Sequence, residues 1–339
     1  MVRMLKFLVG LIVIAVVTIV LAETALRVLF DKYDPDQDLI FITQAGGFRL
    51  GDAGTESRHW KNTGDFDVPV LINDAGFRDA RKLTDSSPGD WFVVGDSYGF
   101  GFGVPVETRF SNRLEKITGI PFYNISIPND LDGYLALVQH ARRNGAEIQR
   151  LIISVCMEND VYLYDDAPVP AEVEVRVPES AVLWNVHYVK HYLADNSALY
   201  KATTEIVHHL PLLRTWAVEL GFIRENLDGI PANEFSYPVV ESSADRAEDL
   251  ASIPGLEQVL FVIVPSRGLW VDGFREEHER IHIGFVETLR KRGFEVVDLR
   301  SDFEANGDPL SYHFENDGHW NEAGHALAAQ VIAGRLAEL

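Results

Sequence analysis

A serine, a histidine and an aspartate are the working parts of an acyl-transfer relay: a nucleophile, a base for its proton, and a group that fixes the base's tautomer. Two stretches far apart in this 339-residue chain supply all three. Trp91-Phe92-Val93-Val94-Gly95-Asp96-Ser97 is an apolar run that ends abruptly in Gly-Asp-Ser and is followed by Tyr98-Gly99-Phe100-Gly101-Phe102-Gly103. A serine at the C-terminal end of such a buried strand stands where ligands bind in open α/β sheets. Near the C-terminus, Asn316-Asp317-Gly318-His319-Trp320-Asn321 sets an acid beside an imidazole just before a helical pattern. The expected chemistry is attack by Ser97 on an ester carbonyl, with His319 taking the proton and Asp317 accepting from the imidazole Nδ1. The Ser97 N–H and the side-chain amide of Asn159, which follows an apolar strand, are the candidate oxyanion donors.

The elements that must position these residues read as alternating strands and helices. Strands are expected over 91–95, 121–126 and 150–157, separated by helices near 107–117 and over 131–143. The rhythm stops at Val161 and resumes with a strand from Gln258 to Val264, a helix over 274–291, a strand from Phe294 to Leu299 and a C-terminal helix over 321–338, capped by Asn321. Buried apolar strands alternating with amphipathic helices imply a flavodoxin-like, three-layer α/β fold around a parallel sheet. Residues 161–250 contain Pro168 and Pro170, a Trp/Tyr/His-rich stretch and a helical pattern from Leu199 to Phe222, and read as a helical insertion. Earlier, Val68–Asn73 reads as a short strand and 74–79 as a turn.

Composition narrows the class. Hydrophobic residues make up 47% of the chain, ample for a sizeable core, and the formal net charge is −21. No basic stripe is visible, which argues against a nucleic-acid partner. Cys156 is the only cysteine, so no internal disulfide can form. Arg3 and Lys6 precede an uncharged run from Phe7 to Ala22, which approaches the length needed to cross a bilayer. The positive flank places the N-terminus in the cytoplasm and the remainder outside. Val20-Leu21-Ala22 also resembles a signal-peptide cleavage site. The helical style of Leu21 to Phe30 favours a retained anchor. The expected organisation is an anchor at 1–30, a juxtamembrane linker at 31–66 and a catalytic domain at 67–339.

Taken together, the blocks resemble the SGNH, or GDSL, hydrolase family. Val94-Gly95-Asp96-Ser97 is similar to its nucleophile block, Asn124-Ile125-Ser126 to the start of its second block, Glu158-Asn159-Asp160 to its asparagine block and Asp317-Gly318-His319 to its terminal acid-base block. The Ile72-Asn73-Asp74-Ala75-Gly76-Phe77-Arg78 segment and the anchor resemble membrane-anchored members. The resemblance implies catalysis by Ser97, Asp317 and His319 without a cofactor. It implies an exported esterase or O-acyltransferase, with an acetylated cell-envelope glycan or another acyl ester as substrate. A membrane-anchored, catalytically inactive glycan-binding module is the alternative. The chain departs from the family at two points. Ile127-Pro128-Asn129 stands where many members have a glycine whose N–H completes the oxyanion hole; Pro128 has none, which shifts the expectation to Asn129. Acid and base are spaced Asp-x-His, where Asp-x-x-His is common, a form that resembles some alginate-type O-acetyltransferases. Glu315 is the other candidate acid.

Two further motifs compete. His278-Glu279-Arg280-Ile281-His282 fits His-Glu-x-x-His, where two histidines four apart on a helix can share a zinc ion. However, Phe274, His278, Ile281, Phe285 and Leu289 form one helical stripe, which favours packing over a metal. Gly99, Gly101 and Gly103 miss the dinucleotide spacing because position 104 is valine. Trp184, Tyr188 and Tyr192 could stack on sugar rings, or form the core of the insertion.

Overall fold

A computed structural model describes residues 2–164, 186–220, 223, 237–271, 273–305 and 307–339. In chain order the elements begin with α1 (Val2–Leu29), the short strands β1 (Phe41–Thr43), β2 (Arg49–Gly51), β3 (Glu56–Trp60) and β4 (Asp67–Leu71), then β5 (Trp91–Gly95) and α2 (Ser97–Phe100). They continue with α3 (Phe110–Thr118), β6 (Phe122–Asn124), α4 (Leu131–Arg143), β7 (Arg150–Cys156), α5 (Val186–Asn196), α6 (Ala198–His209), α7 (Pro211–Glu219) and α8 (Tyr237–Ala251). The chain ends with β8 (Gln258–Val264), α9 (Arg275–Lys291), β9 (Glu295–Asp298), α10 (Arg300–Ala305) and α11 (Glu322–Leu336). Two compact units result. One comprises Met1–Asp38, Arg58–Asp67 and Glu174–Arg224; the other comprises Leu39–Ser57, Val68–Val173 and Glu225–Leu339.

The larger unit is built on a five-stranded parallel sheet in the order β6-β5-β7-β8-β9. Side chains alternate across each strand, so successive residues feed opposite layers. Phe92, Val94, Leu151, Ile153, Val155, Phe261 and Ile263 pack with α4, α8 and α9 on one face. Trp91, Val93, Ile152, Cys156, Leu260, Val262 and Val264 pack with α3, α10 and α11 on the other. This is the three-layer α/β arrangement expected. After β5 the chain moves outward to β6 and then returns to the opposite side of β5 for β7. The reversal makes the C-terminal end of β5 the switch point of a doubly wound sheet, the place where such sheets bind ligands.

The strands over 91–95 and 258–264 and the helix over 131–143 have the expected bounds. Two regions differ. Residues 31–66, expected as linker, contain β1, β2 and β3, and Leu50 is buried against the sheet-packing core. The last part of the stretch read as insertion is α8, whose Val239, Val240, Ala244, Ala247 and Leu250 pack on the sheet. Parallel strands such as β7 and β8 need a crossover connection, normally a helix, so α8 belongs to the fold itself. Pro168, Pro170 and Trp184 lie outside the described residues, as does the side chain of Tyr188.

In the smaller unit, α1 is 28 residues long, and its stretch from Arg3 to Leu29 is apolar enough to cross a membrane. At about 1.5 Å per residue it exceeds the roughly 30 Å of a bilayer's hydrocarbon. Its C-terminal end is tied to α6. The Glu23 carboxylate accepts from Ser197 Oγ and from the N–H groups of Ala198 and Leu199, each at 2.9 Å, and so caps the helix start. Arg27 donates to Asn196 O at 2.6 Å, and Lys32 pairs with Glu205 at 2.8 Å. Leu210-Pro211 splits the helical pattern into α6 and α7, since proline cannot continue a helix from within.

Candidate active site

Ser97 stands two residues beyond Gly95, at the switch point. Gly95 is required by close packing: a Cβ there would lie 2.8 Å from Ser154 Cβ and 3.0 Å from Ser154 O, pushing β5 off β7. The Asp96 side chain accepts from Tyr98 N at 2.9 Å and caps α2, whose four residues are all buried. Gly101, at φ +80°, stops this helix in the left-handed conformation that glycine adopts freely. Ser97 is therefore held in a tight strand-to-helix turn, and its N–H opens the helix, where the first N–H groups have no intrahelical acceptor.

The terminal block meets this turn from the far end of the sequence. His319 Nε2 lies 2.9 Å from Ser97 Oγ. On the other side of the ring, Nδ1 lies 2.5 Å from Asp317 Oδ1, which also accepts the His319 backbone N–H at 3.0 Å. Asp317 is buried, whereas Glu315, the other candidate acid, is exposed. Tyr98, the residue after the serine, donates its hydroxyl to Gly318 O at 2.8 Å and sets its ring against His319 and Trp320. Phe102 covers the imidazole with its ring centroid 4.7 Å away.

Asn159 is also brought in. Its side-chain amide lies 3.4 Å from Asp96 Oδ2, and Ser97 Oγ lies 3.5 Å from that same oxygen, so amide and nucleophile converge on one atom. Both separations exceed the usual hydrogen-bond range, so neither group is tightly committed. The side chain of Asn129 is engaged elsewhere. Its amide donates to Arg49 O and Ile127 O, and its Oδ1 accepts Arg49 N at 2.8 Å. The Asn129 side chain thus clasps the backbone of β2.

Burial shapes the surrounding electrostatics. Burial raises the Asp96 carboxyl above the ordinary aspartate range, against the opposing pull of the Tyr98 N–H and His319. Asp160, whose Oδ2 accepts Cys156 N and the Tyr134 hydroxyl, is raised well above that range by burial and by Asp96. Arg78, from the segment between β4 and β5, and Arg109, just before α3, are both buried. Arg78 donates to Gly101 O at 2.6 Å and Val104 O at 2.8 Å, and Arg109 donates to Arg78 O at 2.9 Å. Desolvation lowers their pKa values to about 10 and about 9. Both remain cations at neutral pH, satisfied chiefly by carbonyls. Asn124, from the second block, donates to Gly99 O and Ser111 Oγ at 2.9 Å each.

The competing histidine pair is absorbed by packing. His282 Nε2 lies 2.9 Å from Asp298 Oδ1, and His278 is buried against Gly268. Among the described residues, no three His, Cys, Asp or Glu side chains converge as metal ligands would.

Residues 258–339 match the family model for the SGNH hydrolase-like domain of the acetyltransferase AlgX. No protein of curated function is significantly similar in sequence. Similar solved structures include a lipolytic protein of the G-D-S-L family from Veillonella parvula, at 13% identity and TM-score 0.42, covering 74% of this chain and 99% of that one. A lipase/acylhydrolase from Enterococcus faecalis aligns at 12% identity and TM-score 0.42, covering 74% and 96%. A two-domain esterase active on acetylated mannans aligns at 11% identity and TM-score 0.38, covering 74% of this chain and 48% of that one. Sequence reading did not single out Arg267, Tyr98 or Phe102, all of which contact the terminal block. Only the glycine between acid and base hinted that another group comes close there.

Proposed function

We propose that the chain is an SGNH-type hydrolase, a membrane-anchored serine esterase or O-acyltransferase whose catalytic residues are Ser97, His319 and Asp317. The observation that carries the reading is the continuous contact from Ser97 Oγ through the imidazole to the Asp317 carboxylate, at 2.9 and 2.5 Å. In the first step Ser97 Oγ attacks the ester carbonyl while Nε2 takes its proton. The tetrahedral oxyanion is met by the Ser97 N–H and the Asn159 amide. Nε2 then returns the proton to the leaving alcohol, and an acyl-serine remains. Water attacking that ester completes hydrolysis; a sugar hydroxyl in its place makes the protein a transferase. An acetyl ester of an extracytoplasmic glycan suits a domain carried on an N-terminal anchor whose positive flank stays inside.

Retention of the anchor is supported by Glu23. This residue directly follows the cleavage-like Val20-Leu21-Ala22, and its carboxylate caps α6 from within an unbroken helix. One experiment tests activity and retention together. Membranes carrying the full chain are treated with a fluorophosphonate probe, with Ser97→Ala as control. Labelling of wild type alone, on a band of full-chain mass that resists alkaline extraction, is the expected result. An intact, folded wild type that neither labels nor releases acetate from acetylated glycan defeats the enzyme reading and leaves the glycan-binding alternative. A labelled band lacking residues 1–22 defeats the retained anchor.

A further inference from the structure

The turn that carries the acid and base is held on one side by Tyr98, through Gly318 O. Its other side is closed by Arg267. This residue follows β8 in a 3-10 turn that Ser266 caps, its Oγ accepting from Gly268 N at 3.0 Å. Its guanidinium lies directly over Gly318: a Cβ built there would sit 2.0 Å from Arg267 Nη1, 2.1 Å from Cζ and 2.4 Å from Nη2. All three nearest atoms belong to Arg267, and Gly318 is not among the glycines with positive φ. What excludes a side chain at Gly318 is therefore the guanidinium, not the backbone conformation.

Arg267 is fixed in turn by Glu158, the residue next to Asn159. Glu158 Oε1 accepts Arg267 N at 2.7 Å and Nε at 3.0 Å, while Oε2 accepts Nη2 at 2.9 Å. The fork-on-carboxylate geometry is the specific kind of ion pair, one that lysine cannot reproduce. Each partner is only 15% exposed at its side chain. Burial alone would raise the Glu158 carboxyl, yet its bonds to Arg267 hold it below the ordinary range. A single buried pair thus joins the turn bearing the oxyanion amide to the turn bearing the base.

We propose that Arg267, clamped by Glu158, is a positioning residue that sets His319 and Asn159 in register with Ser97. This rests on the acyl-transfer reading above, and the test separates the two. The full-length chain in detergent is compared with Gly318→Ala, which evicts the guanidinium and leaves the charges in place, with Arg267→Lys, which keeps the charge and loses the fork, and with Glu158→Gln. Three quantities are measured: kcat and KM on an acetyl ester, the downfield proton resonance of His319 Nδ1–H, assigned by its absence in His319→Gln, and the thermal midpoint.

Misplacement of a catalytic group by about 1 Å costs on the order of 100-fold in rate. All three variants are therefore expected to lose roughly 10- to 100-fold in kcat, with KM within about twofold, and to lose or broaden the imidazole resonance while still folded at the assay temperature. Unchanged kcat and an unchanged resonance in Gly318→Ala overturn the proposal. Full activity in Arg267→Lys overturns it too, because charge alone would then suffice. If Glu158→Gln fails to fold, Gly318→Ala, with both ionic partners intact, decides. If wild type itself does not turn over, acyl transfer falls, and the resonance still reports whether the clamp holds His319.

Discussion

Replacing Asp317 with asparagine tests whether its charge, and not merely its shape, serves the site. The amide keeps one oxygen able to accept from His319 Nδ1–H and from the His319 backbone N–H, the two bonds that Oδ1 now receives at 2.5 and 3.0 Å. What disappears is the negative charge that faces the imidazolium formed as Ser97 loses its proton. Two unit charges about 4 Å apart at an effective dielectric constant near 20 attract by about 4 kcal/mol. The Asp317 side chain is 8% exposed and that of His319 24%, so this partly shielded regime is the appropriate one. Removing 4 kcal/mol from the transition state lowers kcat/KM by about 10³-fold. Hydrolysis of an activated acetyl ester and the second-order rate of fluorophosphonate labelling should fall together, since both require the same proton transfer. Glu315→Gln should stay within about threefold of wild type. An Asp317→Asn protein within tenfold of wild type, or a larger loss in Glu315→Gln, refutes the assignment of the acid.

Two further outcomes follow from the same geometry. Asn159→Ala should lower kcat by about 10²- to 10³-fold with little change in KM, as removal of one oxyanion donor does, and Asn129→Ala should leave kcat nearly intact; the reverse order in steady-state kinetics would return Asn129 to the site. His325, whose Nδ1 accepts Phe110 N at 3.3 Å, is lowered to about 3 by burial and by Arg109, Arg78 and Arg113, against about 6.5 when unfolded. Between those values the unfolded chain binds the extra proton, so this residue's share of stability is intact above pH 6.5 and is lost as pH falls towards 3. His325→Gln should accordingly remove about 1.4 kcal/mol per pH unit from the slope of unfolding free energy between pH 6 and 4, measured by urea titration; equal slopes would contradict the buried neutral imidazole.

Much of the scaffold was legible because burial writes a period into the sequence. The strands β5, β7 and β8 are continuous apolar runs, and α4 alternates its Leu131, Tyr134, Leu137, Val138 and Ala141 stripe with polar residues. The α8 helix hid within the insertion because its buried face is partly alanine, and Glu241, Asp245, Arg246, Glu248 and Asp249 surround it. Strands of three residues, such as β1 and β2, are too short to show any period. At the site, residue types marked Ser97, Asn159, Asp317 and His319, but not their supports. Arg267 is 52 positions from His319, and its fork is matched by a carboxylate 109 positions upstream. The side-chain contact of Asn129 was not legible, since the missing N–H at Pro128 drew attention only to the next amide. Its true partner, the backbone of Arg49, lies 80 positions away.

The aspartate of Gly-Asp-Ser illustrates how a motif residue next to the nucleophile can serve it without joining the relay. Asp96 is 1% exposed, deeper than either member of the acid-base pair. Its Oδ1 is committed to Tyr98 N, the bond that caps α2 and aims Ser97 out of the sheet. Its Oδ2 is the common neighbour of Ser97 Oγ and the Asn159 amide. Burial raises this carboxyl, and Asp160 is raised by its own burial and by Asp96. A group so placed is poorly suited to hold a fixed negative charge against the imidazolium, and well suited to fix the turn and steer the amide. Asparagine is as good a helix cap as aspartate. The proposed mechanism therefore asks charge of Asp317 and hydrogen-bonding shape of Asp96.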